Sequence, residues 1–333
     1  MERIHDHAII GDGRSAALVS LRGSIDWLCW PRFDSPSVFG AILDDGAGRW
    51  TVSPATAFRP KRRYLPGTNV LETRFETSSG TLVLTDFMPV ASEAERRRLV
   101  LPDHAILRLA ACERGEVEVE AVFEPRPGYG RAPLRLRDAG KLGIRVETRA
   151  GLLTLRAGFP LGIEDGERVV GRVRLREGEA CDLCLTLASE WPAVLPPLGA
   201  PSREALERTI RWWSAWSAQV RYDGPAREAV VRSALALRLL VYAPSGAVVA
   251  APTTSLPERV GGDLHWDYRF CWLRDAALTV RALVGLGFRE EAEAFVSWLL
   301  HSTRLTQPQL RVLYDVHGNQ PAPERSVEHL AGH

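Results

Sequence analysis

Two periodicities divide this chain. Up to about residue 195 apolar and polar residues alternate, and from about residue 202 apolar residues recur every three or four positions. In GEVEVEAVFEP, Val117, Val119, Ala121 and Phe123 fall on one side and Glu116, Glu118 and Glu120 on the other, which is the period of a half-buried strand. The segments LRLAACE, KLGIRVETRAG, GLLTLRAG, RVRLREG and CDLCLTLA repeat the alternation, with glycine-containing turns and no helical pattern between them. Short strands joined in this way predict an antiparallel β-sandwich over residues 1–195. No fixed-period repeat is present.

The segment from Trp191 to Ser202, WPAVLPPLGAPS, has four prolines and reads as a linker. Beyond it Ser202 is placed to cap a helix in which Leu206, Ile210, Trp213 and Trp216 form the apolar stripe. A second helix follows Asp223-Gly224-Pro225, with Val230, Leu237 and Leu240 on one side. GAVVAAPTTSLPERVGG then reads as a short strand and a loop. A third helix starts around Trp272 and ends near Gly285. The fourth, REEAEAFVSWLLHS, has Phe295, Val296, Leu299 and Leu300 as its stripe. Val312, Leu313 and Tyr314 precede a Gly-Asn turn and a short helical piece.

Composition narrows the function. A length of 333 residues suits two domains of roughly 100–200 residues each. With 42 basic and 41 acidic residues the net charge is +1, so no basic surface points to nucleic acid; Lys61-Arg62-Arg63 and Arg96-Arg97-Arg98 read as solvated loops. No stretch approaches the roughly 18 apolar residues of a membrane span, and the N-terminus lacks the pattern of a cleavable leader, so a cytoplasmic protein without membrane partners is expected. Five scattered cysteines make no disulfide framework. Cys181 and Cys184 stand three apart in an alternating run and therefore point to opposite faces of a strand, which argues against a metal or redox site. No cofactor is expected.

The chemistry concentrates between Gly261 and Leu283, GGDLHWDYRFCWLRDAALTVRAL. Trp266, Tyr268, Phe270 and Trp272 are spaced by two, so an extended lead-in places them on one side, just ahead of Arg274 and Asp275. Aromatic faces beside an Arg and carboxylates suit a sugar, whose C–H faces stack while its hydroxyls take charged hydrogen bonds. The competing reading is an amphipathic helix with a buried aromatic start and a structural Arg-Asp pair. Glu258, Asp263, Asp267 and Asp275 are the acidic residues around this stretch. A second aromatic cluster, Trp27, Trp30, Phe33 and Phe39 between Pro31, Pro36 and Gly40, is expected to be a short strand and a packed loop.

The run TSLPERVGGDLHWDYRFCWLRDAALTVRALVGLGF resembles the signature of glycoside hydrolase family 15, the glucoamylase and trehalase-like group. GDGRSAALVSLRGSIDWLCWPRFDSPSVFG likewise resembles the start of the N-terminal β-sandwich of its bacterial members, so the likeness extends over essentially the whole chain. The resemblance implies a multidomain β + α protein: a super-sandwich over residues 1–195, a helical linker over 196–222, and over 223–333 the first part of an (α/α)6 barrel that binds a non-reducing α-glucosyl unit. It implies inverting hydrolysis, in which one carboxylic acid protonates the leaving oxygen and a carboxylate activates water on the opposite face. Carried over position by position, Arg274 and Asp275 grip the hydroxyls of the terminal glucose, and Trp272 and Tyr268 line the same subsite.

One departure matters. In the family both catalytic glutamates lie well downstream, and the Ile-Trp-Glu stretch that surrounds the general acid is absent here, so both groups are expected beyond His333. Inverting hydrolysis needs two carboxyls roughly 6.5–9.5 Å apart across the sugar, an arrangement not expected of Glu258, Asp263, Asp267 and Asp275. Glu324 reads as an ordinary loop or helix-start residue. The expectation is therefore the substrate-binding half of an α-glucosidase, inactive alone, with an α-glucoside oligosaccharide or disaccharide as partner and self-association through the incomplete barrel. The alternative is a non-catalytic carbohydrate-binding or assembly module. The linkage, α,α-1,1, α-1,4 or α-1,6, stays open.

Overall fold

The computed structural model describes residues 3–189, 193–254, 256–259, 262, 265–304, 307–321, 323 and 325–332. Among them, fifteen strands join into one antiparallel system. The strands are β1 (Ala8–Gly11), β2 (Ala16–Val19), β3 (Ser24–Cys29), β4 (Ser37–Phe39), β5 (Arg49–Pro54), β6 (Phe58–Tyr64), β7 (Leu71–Thr77) and β8 (Gly80–Phe87). After a short helix, α1 (Glu93–Arg96), come β9 (His104–Glu124), β10 (Leu136–Asp138), β11 (Ile144–Thr148), β12 (Gly151–Ala157), β13 (Gly162–Glu164), β14 (Arg168–Arg176) and β15 (Ala180–Ala188).

The long strand β9 organises the sandwich by serving both layers. Residues 104–111 run between β8 and β15, whereas residues 116–124 run between β5 and β14. The change of layer falls at Gly115, whose φ is +72° and where a Cβ would sit 2.2 Å from the Ser79 carbonyl oxygen. Only glycine fits that backbone and that space. Beyond the bend Val117, Val119, Ala121 and Phe123 all enter the core, as their alternation requires. On the outer side Glu116, Glu118 and Glu120 stand directly opposite Arg176, Arg174 and Arg172 of β14. These cross-strand ion pairs are solvated, so they add little to stability and serve mainly to fix register. On β15, Cys181 joins the core between the layers while Cys184 joins a separate cluster with Val70, Phe87, Leu107 and Ala205, so the two thiols do lie on opposite faces.

Four further helices follow: α2 (Ala200–Ser217), α3 (Arg227–Leu239), α4 (Leu273–Gly285) and α5 (Arg289–Arg304). Strands β16 (Cys271–Trp272) and β17 (Leu313–Tyr314) pair antiparallel beside them. Helix α2 ties the two parts together. Its first half packs Ala205, Leu206 and Ile210 on the outer face of the sandwich, and its second half gives Trp213 and Trp216 to the core of the helical part. Trp216 stacks on Phe288 with ring centroids 4.0 Å apart, and its indole N–H donates to Glu291.

Four sequence expectations need correction. The Lys61-Arg62-Arg63 run lies on β6 and not in a loop, paired with β7, and Arg62 donates to the Asp6 and Val19 carbonyls. Helix α2 begins at Ala200 with Gly199 as its N-cap, because Asp182 accepts the Gly199 N–H at 2.6 Å; Ser202 is buried inside the first turn and does not cap. In α3 the deepest side chains are Ala234, Leu235 and Leu239, while Val230, Leu237 and Leu240 are half-buried. The stripe is rotated because the Leu235 carbonyl accepts from buried Asn69, which draws that side of the helix against the sandwich. In α5 the buried pair is Phe295 and Trp298, with Leu299 partly buried, and Val296 and Leu300 are exposed. Trp298 faces inward because its N–H donates to the Val316 carbonyl and its ring packs edge-on to Tyr314.

Candidate functional site

The site is built on an extended segment that enters α4. Ala251 N–H donates to the Tyr268 carbonyl at 2.7 Å, Ala250 N–H donates to the Phe270 carbonyl at 3.0 Å, and Thr254 bridges antiparallel to Asp267. Held extended, successive side chains alternate. Tyr268 turns toward Trp272, ring centroids 5.6 Å apart, and Trp266 meets the same indole at 6.4 Å in an edge-on arrangement. Trp266, Tyr268 and Trp272 thus form one aromatic platform, as their spacing predicts. Phe270 is half-buried and, among the described residues, shares no ring contact with them.

Trp272 occupies the N-cap position of α4, which puts Arg274 and Asp275 in the first turn, beside the platform. Arg274 donates through Nε to Asp275 Oδ2 at 3.2 Å, and its Nη2 lies 3.1 Å from the same oxygen. The Arg274 side chain is 71% exposed and that of Asp275 30%. Both contacts converge on Oδ2. Among the described residues no protein group engages Oδ1, so the pair presents an open acceptor and open guanidinium donors to solvent. Vicinal hydroxyls of a pyranose match that set, since each hydroxyl both donates and accepts.

The nearby carboxylates are otherwise engaged. Tyr268 donates its phenolic hydrogen to Glu258 at 3.1 Å, and desolvation, followed by this bond, holds the phenol above its usual pKa. Asp267 is gripped on both oxygens by Arg269, from Nε at 3.0 Å and from Nη2 at 2.7 Å, and its backbone carbonyl accepts the Trp272 indole N–H at 2.9 Å. Asp263, like Gly261, and Glu324 lie outside the described residues. Among the described residues no three His, Cys, Asp or Glu side chains gather as a metal site would require. No described helix is long and apolar enough to cross a membrane.

Behind the platform, Arg269 is the residue that ties this segment to the sandwich. Its Nη1 donates to the Ser35 carbonyl at 2.7 Å and lies 3.4 Å from both the Phe33 carbonyl and the Cys29 sulfur. Its guanidinium carbon is 5.9 Å from the ring centres of Trp27 and Tyr129. The signal lay in the alternation itself: an arginine between Tyr268 and Phe270 must face away from the platform, and Asp267 two positions earlier shares its side. The loop that it meets is the packed aromatic element of the sequence. Trp27, Trp30, Phe33 and Phe39 are all buried. Trp30 N–H donates to Ser15, and Trp27 N–H donates to the Pro252 carbonyl at 2.7 Å, across the boundary between the sandwich and the helical part.

Comparison with known proteins gives consistent results. Residues 224–333 match the family model Glycosyl hydrolases family 15, and residues 1–168 match Trehalase-like, N-terminal. A trehalase of Mycolicibacterium smegmatis is 35% identical over 99% of this chain and 52% of its own length. A trehalase of Mycobacterium tuberculosis is 33% identical over 99% of this chain and 51% of its own, and one from Thermoplasma volcanium is 31% identical over 98% and 52%. The chain thus spans about half the length of the curated relatives it matches. Among solved structures, a putative kojibiose phosphorylase from human microbiome overlays with a TM-score of 0.46 and 9% identity, covering 89% of this chain and 46% of that one, too loose a likeness to argue from.

Proposed function

Since the chain belongs to glycoside hydrolase family 15, with a trehalase-like N-terminal part, we propose that the Gly261–Leu283 stretch grips the non-reducing α-glucosyl unit of a trehalose-type disaccharide. The observation that carries this reading is the solvent-facing Arg274–Asp275 pair at the start of α4, beside the Trp266–Tyr268–Trp272 platform. The sugar's C–H face lies on the rings and adjacent hydroxyls bridge the guanidinium and the carboxylate. Each charge-assisted hydrogen bond of this kind contributes about 1.5–3 kcal/mol.

On this reading α2 is the linker between residues 196 and 222, and α3 to α5 are the first helices of an (α/α)6 barrel that begins near residue 223. Hydrolysis proceeds with inversion, and the acid and base are supplied from outside these 333 residues. Support comes from the state of the local carboxylates: Asp267 is held on both oxygens by Arg269 and Glu258 is bonded to Tyr268. Five free, buried cysteines are compatible with the reducing cytoplasm.

The test has two arms on the purified 333-residue protein. Calorimetric titration with α,α-trehalose, maltose and isomaltose is expected to show binding, strongest for α,α-trehalose. Glucose release from the same three sugars is expected to be nil. Turnover that vanishes in E258Q or D267N would place the catalytic pair within this chain and overturn the division of labour.

A further inference from the structure

We propose that Arg269 is a positioning residue for the sugar platform, through which the N-terminal sandwich sets the geometry of the glucose-binding loop; the inference rests on the reading of the platform as a sugar site. Arg269 is 5% exposed, and the residues that it joins are far apart in sequence. On one side lie the Ser35 and Phe33 carbonyls and the Cys29 sulfur, all in or just after β3 of the sandwich. On the other lies Asp267, held by two parallel hydrogen bonds. The Arg269 backbone N–H donates to Asp267 Oδ1 as well, so the turn and the side-chain fork fix the same carboxylate.

From Asp267 the connection continues into the platform. Its carbonyl accepts the Trp272 indole N–H, and the Trp272 ring contacts both Trp266 and Tyr268. One unbroken chain of hydrogen bonds and ring contacts therefore runs from the β3 loop through Arg269, Asp267 and Trp272 to the aromatic faces. The guanidinium suits the task because its planar fork holds a carboxylate with two N–H groups while a third reaches the sandwich carbonyls. A lysine in its place has one compact ammonium, and it cannot hold both Asp267 oxygens and reach Ser35 in the same geometry. Arg269 touches no part of the proposed sugar position and acts only through Asp267 and Trp272.

The experiment compares wild type, R269K and R269Q in the full 333-residue chain, with D275N as reference. Near-ultraviolet circular dichroism reads the relative orientation of Trp266, Tyr268 and Trp272 without any ligand, and calorimetric titration with α,α-trehalose reads the site. Far-ultraviolet dichroism confirms the folded state, and all measurements are made well below the melting temperature of the weakest variant. R269Q is expected to lose most of the aromatic signal of the platform and to bind α,α-trehalose about tenfold more weakly, with R269K intermediate in both. D275N is expected to keep the aromatic signal while binding α,α-trehalose about 10- to 100-fold more weakly.

A purely structural role predicts something different: a lower melting temperature, with the aromatic signal and affinity of wild type in both Arg269 variants. That result would overturn the proposal. If R269Q does not fold, R269K decides alone, and a wild-type spectrum and affinity in it count against the proposal. Should the wild-type chain fail to bind α,α-trehalose, maltose or isomaltose, the sugar reading falls, while the aromatic signal of the Arg269 variants still decides whether Arg269 orders the platform.

Discussion

Arg108 and Asp86 meet at 2.7 Å in the middle of the sandwich with both side chains wholly inaccessible to solvent. Arg108 lies on β9 and Asp86 on the neighbouring β8, and the guanidinium also donates to the carbonyls of Trp50 and Gly23 at 2.6 Å each. Those carbonyls belong to the facing layer, so one cation fastens the two layers from inside. Burial pushes the Asp86 carboxyl above its usual pKa, and Arg108 opposes the shift. A buried charge whose partner is removed typically costs about 3–5 kcal/mol. R108M is therefore expected to lower the stability of the sandwich by about that much, read from the midpoint of urea unfolding. The double variant R108M/D86L is expected to be less destabilised than the sum of the single variants, because Asp86 no longer stands alone.

At the proposed sugar site, R274A and D275N are each expected to weaken α,α-trehalose binding by about 10- to 100-fold, the equivalent of one charge-assisted hydrogen bond. W272A is expected to weaken it as well and to reduce the near-ultraviolet aromatic signal, since both ring contacts of the platform end on that indole. L283A, at the far end of α4, is expected to lower stability while leaving affinity unchanged in protein that remains folded. Calorimetry alongside thermal unfolding separates the two kinds of effect.

His104 supplies a pH dependence. It is buried against Trp30, and desolvation, the largest cause, lowers its pKa from the usual value. The unfolded chain then takes up a proton at higher pH than the folded one. Stability is fully present above the unfolded value of about 6.5 and declines as pH falls from there toward the folded pKa. H104F is expected to flatten the slope of urea stability between about pH 6.5 and 5, before most carboxylates titrate. A slope unchanged in H104F would remove His104 as its source.

The helical part presents Leu278 and Val284 on α4, and Val296 and Leu300 on α5, to solvent, with Leu278 62% and Leu300 58% exposed. We expect the 333-residue chain to associate with itself through these helices at high concentration, because exposed apolar area of this kind favours contact over hydration. L278E/L300E is expected to reduce the association. Sedimentation velocity across a concentration series checks it, and an unchanged distribution in the double variant would exclude this face.

The strand segments were readable because burial on one face leaves a strict period of two: Val117, Val119, Ala121 and Phe123 could fall nowhere but the core. Trp266, Tyr268 and Trp272 of the platform were readable for the same reason, whereas Phe270, on the same period, shares no ring contact with them among the described residues. Helix faces were less so. Spacing alone puts Val296 and Leu300 in the α5 stripe beside Phe295 and Leu299, because periodicity cannot see that the Trp298 N–H finds the Val316 carbonyl. Ser202 does not cap because the helix already starts before it: the Ser202 and Arg203 N–H groups donate to the carbonyl of Gly199, whose own N–H is held by Asp182 on a distant strand. The alternation turns Arg269 and Asp267 away from the platform, but what that side meets, the loop after β3 some 235 positions earlier, is beyond the reach of any local pattern.

The bend at Gly115 has a mechanical consequence. A strand that belongs to both layers cannot be pulled from one without disturbing the other, so the sandwich has no internal seam along which half of it opens while half remains closed. Amide protons of β9 on either side of the bend should then report one common opening free energy in native-state exchange, as a single opening unit. The loop after β3 that receives Arg269 sits on that unit, and the platform inherits the steadiness of the whole sandwich.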